Sequence, residues 1–174
     1  MPLLTGKRVL LVIPPYDFSD KELLALRQIF ERDGAQTMVV NATGQPGRGM
    51  YGSTIVPHAS FYHIDSKNFD AIIFIGGPGS ATYQQNRRAL QLCHEFNAAG
   101  KPVAAIDIAP VILAAAHILQ GKRATARPTE REIINQLGTY TGAPVEIDGN
   151  IITASSTAHV DELASAVIRA LTKR

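Results

Sequence analysis

Three apolar runs constrain this chain most: RVLLVI at 8–13, FDAIIFI at 69–75 and VAAI at 103–106. None shows the regular polar–apolar alternation of a strand with one wet face, so each reads as a strand covered on both sides. A fourth strand is read at 37–40. Helical patterns lie between them. Buried strands alternating with helices imply an α/β fold: a mainly parallel sheet in the middle of a three-layer sandwich. Sheets of this kind place ligands at the carboxyl ends of their strands. Asp107 and the Gly76-Gly77 turn stand at two such ends.

The helices are marked by their own punctuation. Ser19 and Glu22 form an S-x-x-E capping box at a helix start. Leu23, Leu26, Ile29 and Phe30 follow as an apolar stripe, and Gly34 stops the helix. Ala89, Leu92, Cys93 and Phe96 share one face of a helix over 87–99, so Cys93 reads as core. A helix starts at about Pro110, and Thr129 with Glu132 repeats the capping-box pattern. Residues 145–153 read as a hairpin turning at Asp148-Gly149. Val160, Leu163, Ala164, Val167, Ile168 and Leu171 mark a terminal amphipathic helix. The stretch 41–53, NATGQPGRGMYGS, lacks the Gly-Lys-Ser/Thr of a phosphate loop and reads as a flexible loop.

The chain has 174 residues, 45% hydrophobic, which suits one domain over 1–174 with a substantial core. Its net charge is +2, and no run of Lys and Arg exceeds two residues, which argues against a nucleic-acid partner. A single cysteine permits no intrachain disulfide. MPLLTGKRVLLVIPP lacks a small-residue cleavage site and reads as the first strand, not a signal peptide. No run approaches the ~18 apolar residues of a membrane span. A cytoplasmic protein with no membrane contact is expected. His58, His63, His94, His117 and His159 show no metal-binding spacing, so neither a metal nor a cofactor is expected.

The order FDAIIFIGGPGS, then AGKPVAAIDIAPVILAAAHILQGKRAT, then VEIDGNIITASS resembles the ThiJ/PfpI superfamily. That group holds intracellular-protease-like proteins, glyoxalase- and deglycase-like enzymes and chaperone-like members. The resemblance covers nearly the whole chain. It implies a flavodoxin-like sandwich related to the class I glutamine amidotransferases, and a homodimer or higher homo-oligomer. The family's elbow usually reads A-I-C-H-G-P or A-I-C-x-G. Here AIDIAP places Asp107 at the cysteine and Ile108 at the histidine. The resemblance also implies a glutamate near the end of strand one, and DFSDKEL places Ser19 there. The family's S-R-x-P segment falls on Ser155, Ser156, Thr157 and Ala158. Three chemical groups are then missing together, so cysteine-dependent protease, glyoxalase or deglycase activity is not expected.

The expected site centres on Asp107. An elbow that aims N–H groups and a helix terminus at its residue should favour an ionised carboxylate. Ser19 is expected to cap the helix and donate to Asp107. Gly76, Gly77 and the N–H of Ile108 are expected to form an oxyanion hole. Asp17 and Asp20 are considered as further carboxylates beside it. The leading expectation is a non-catalytic protein with a small-molecule-binding or regulatory pocket at Asp107. The alternative is an Asp107-dependent hydrolase or lyase acting on a small carbonyl compound.

Overall fold

The computed structural model describes residues 1–173. Strand β1 (Arg8–Val12) leads through a short strand β2 (Tyr16–Phe18) into helix α1 (Asp20–Arg32). Strand β3 (Gln36–Asn41) follows, then β4 (Gly47–Gly49), β5 (Thr54–Ile55), β6 (Ala59–Ser60) and β7 (Ala71–Phe74). Helix α2 (Arg87–Ala98), strand β8 (Val103–Ile106) and helix α3 (Pro110–Ala115) come next. The chain continues with β9 (Arg123–Ala124), α4 (Arg131–Leu137), β10 (Thr139–Tyr140), β11 (Val145–Asp148), β12 (Ile151–Ala154) and α5 (Val160–Thr172).

Seven strands form one sheet in the order β11-β12-β8-β7-β1-β3-β6. Every pairing in it is parallel except β11 with β12. The pleat sends successive residues to opposite faces. Leu10, Ile72 and Ala105 pack with Leu92, Phe96 and Ile134 on one side. Leu11, Ile73 and Ala104 pack with Leu26, Phe30 and Leu163 on the other. Both strand faces are therefore dry, which is why the runs did not alternate. The sheet and its two helix layers are the expected three-layer sandwich.

Three local readings are corrected. The stretch 41–53 is not a featureless loop: β4 pairs with β2 and β5 in a small second sheet. Thr129 and Glu132 form no capping box. The turn before α4 tightens into a single 3-10 turn (Pro128–Glu130), and the helix then starts without a side-chain cap. The hairpin register pairs Asp148 with Ile151, so Gly149 and Asn150 make the turn, with Gly149 at φ 61°.

Candidate functional site

The break between β8 and α3 places Asp107 at φ 63°, a left-handed conformation that few non-glycine residues adopt. The main chain holds it there. Its N–H donates to the Ala154 carbonyl at 2.9 Å, and its own carbonyl accepts from the Arg127 N–H at 2.8 Å. The side chain is turned inward and only 13% exposed. Burial pushes its carboxyl above the ordinary range, while the Arg127 guanidinium and the Gly77 and Ile108 N–H groups pull it back. This reverses the expected direction. Helix α3 has only six residues and offers little dipole, so desolvation outweighs the donors. Of the three donors expected to form an oxyanion hole, the Gly77 and Ile108 N–H groups face the elbow's own carboxylate, and the Gly76 N–H donates to Glu22.

The residue that the sequence reading missed is Glu22. It is fully buried. Its Oε1 accepts from the Gly76 N–H at 2.9 Å, and its Oε2 is bonded by the Thr157 hydroxyl at 2.6 Å. Burial is the main cause that raises its pKa from 4.5 to about 7, and the nearby Asp107 carboxyl raises it further. The Thr157, Gly76 and Ser19 contacts oppose that shift. Glu22, not Ser19, therefore supplies the carboxyl beside the elbow, three residues beyond the position that DFSDKEL suggested. One of the groups counted as missing, a carboxyl beside the elbow, is therefore present.

Ser19 does cap α1. Its Oγ accepts from the Glu22 N–H at 3.3 Å. The reciprocal half of the box is replaced, because the Ser19 N–H donates to the Gly76 carbonyl at 2.9 Å. No Ser19–Asp107 hydrogen bond forms among the described residues; the hydroxyl is engaged by Glu22 instead. Asp17 is also displaced from its expected place. Its side chain is exposed, and only its backbone approaches the site. A Cβ on Gly77, which sits at φ +106°, would stand 2.3 Å from the Asp17 carbonyl oxygen. Asp20 serves the small sheet: its Oδ2 accepts from the Tyr51 N–H at 2.9 Å and the Ser53 N–H at 3.3 Å.

An open cavity of about 410 Å3 lies over these groups. Ser19, Glu22 and Asp107 form its base, and the segment 155–158 forms one wall. Met50 and Tyr51 from the end of the small sheet, with Arg127 and Pro128, complete it. These four carried no sequence signal, since they are brought in from two connecting segments. Cys93 is far from any role here: it is buried in the α2 core, and burial pushes its thiol well above the ordinary range. Among the described residues, no three His, Cys, Asp or Glu side chains gather as a metal site. No helix there is long and apolar enough to cross a membrane.

Comparison with known proteins agrees with this layout. The model of the DJ-1/PfpI family matches residues 7–170. The chain belongs to the DJ-1/PfpI family. An uncharacterized protein of Methanocaldococcus jannaschii is 36% identical over 170 residues, covering 95% of this chain and 83% of that one. A deglycase of Pyrococcus abyssi is 28% identical over 145 residues, 83% of this chain and 87% of its own. Among solved structures, the ThiJ/PfpI domain protein of Brachyspira murdochii superposes with a TM-score of 0.91 at 29% identity, over 95% of this chain and 98% of that one. The DJ-1/PfpI fold is thus shared over nearly the full length.

Proposed function

We propose that this DJ-1/PfpI protein binds a small polar molecule in the elbow pocket and carries out no thiol chemistry. The observation that supports this best is the direction of the elbow's donors. The Asp107 carboxylate faces the Gly77 and Ile108 N–H groups, which in an acyl-transfer site would stabilise a developing oxyanion. The single thiol is sealed in the core, and only a thiolate is nucleophilic. Methylglyoxal should therefore not turn over above background, and iodoacetamide or Cys93→Ser should change nothing. Turnover abolished by either treatment would overturn the reading.

A second reading draws on Glu22. A carboxyl with a pKa of about 7 beside Asp107 is suited to exchanging protons at neutral pH, as an Asp107-dependent hydrolase or lyase would require. Turnover of a small carbonyl compound that survives iodoacetamide but is lost in both Asp107→Asn and Glu22→Gln would favour this reading over the first. Self-association is also proposed. Leu24 on α1 and Val56 after β5 leave 58% and 69% of their surfaces exposed in one chain. Light scattering at a monomer mass would reject it.

A further inference from the structure

The elbow pocket presents both signs of charge at close range, and this restricts its ligand. Its floor is the Asp107 carboxylate, with the Glu22 carboxyl behind it, held by Gly76 and Thr157. Its rim carries Arg127. The main chain of Arg127 is tied to the elbow, but its side chain is 51% exposed, and its Nη1 stands 3.9 Å from Asp107 Oδ1. That separation is too long for a hydrogen bond, so the guanidinium is free to swing outward while its base stays fixed. Tyr51 is the remaining titratable group on the wall.

We infer that the pocket is shaped for a small zwitterion, an aminocarboxylate whose ammonium lies on Asp107 and whose carboxylate pairs with Arg127. The inference rests on the pocket reading above. A simple carboxylate would gain Arg127 but meet the Asp107 charge. A simple amine would gain Asp107 but meet the guanidinium. Only a ligand with both charges replaces each member of the loose ion pair with a closer partner, so like-charge repulsion rejects the others. Bidentate recognition of the carboxylate suits the guanidinium fork. The bound ammonium also favours the ionised form of Glu22. Because that group titrates at about 7, binding near neutral pH should release protons to the buffer.

The test is an amide-resolved NMR titration of the full chain with glycine, β-alanine, acetate, L-lactate and ethylammonium, paired with calorimetry in buffers of differing ionisation enthalpy. Glycine or β-alanine should shift the amides of Gly77, Ile108 and Arg127. Binding should weaken by about tenfold or more in Arg127→Ala, an exposed side chain, and in the isosteric Asp107→Asn. The heat should vary with buffer as proton release requires. If acetate, lactate or ethylammonium binds at these amides as tightly, or if Arg127→Ala binds the zwitterions unchanged, the ligand class is wrong and the pocket reading stands. If no probe shifts these amides, both fail.

Discussion

Two stretches of this chain carry the same local pattern, Ser19-x-x-Glu22 and Thr129-x-x-Glu132, and they end in different chemistry. At the second, Thr129 and Glu132 are exposed, the turn tightens, and α4 starts without a side-chain cap. At the first, the serine caps α1, but the glutamate side chain turns away from the Ser19 N–H and is buried against Gly76 and Thr157. A capping box is worth about 1 kcal/mol, and this small preference yields where a tertiary partner offers more. Gly76 has no side chain, and a Cβ there would stand 2.8 Å from Glu22 Oε1. Only a glycine leaves room for the carboxyl. The first stretch is thus both a helix start and one wall of the elbow.

The contrast is sharpest in its pH dependence. Glu22 ionises near 4.5 in an unfolded chain and near 7 in the fold, mainly because it is buried. Between these values the folded state holds more protons, so its stability falls as pH rises. The favourable difference is fully present below about 4.5 and lost as pH passes through about 7, on the order of 3 kcal/mol in all. Asp107, raised in the same direction, adds to it. Denaturant midpoints across this window should show wild type losing ground to Glu22→Gln as pH rises. A constant difference would break the account.

Glu22→Ala at neutral pH should cost about 2 kcal/mol in urea unfolding, because it strands the buried Gly76 N–H and the Thr157 hydroxyl. A loss as small as that of Glu132→Ala would mean that the tertiary contacts add nothing. Ser19→Ala removes the cap and should cost about 1 kcal/mol, read from the same midpoints. Smallest of all, Thr129→Ala should stay within about 0.3 kcal/mol of wild type, because its hydroxyl caps nothing. A loss of cap size there would show that the second box forms in solution.

The pattern of dry strands, the α1 stripe and the α5 stripe were legible in the sequence because burial on two faces leaves its mark on every residue of a run. Asp107 was legible because a charge at the end of such a run is costly and so stands out. Glu22 was hidden because it had a sufficient local explanation. Arg127, Met50 and Tyr51 left no mark at all, since nothing within several residues of them depends on where they point.

By itself, then, the sequence determined the layers, the elbow and the aspartate that stands there in place of a cysteine, all of which follow from short-range periodicity and residue type. The tertiary structure alone decided which carboxyl stands beside Asp107, that burial holds both carboxyls toward their protonated forms, and that an arginine stands at the pocket's rim. Protonation and pocket shape depend on desolvation and on contacts between residues as far apart as Glu22 and Thr157. Those terms exist only once the chain has closed around them.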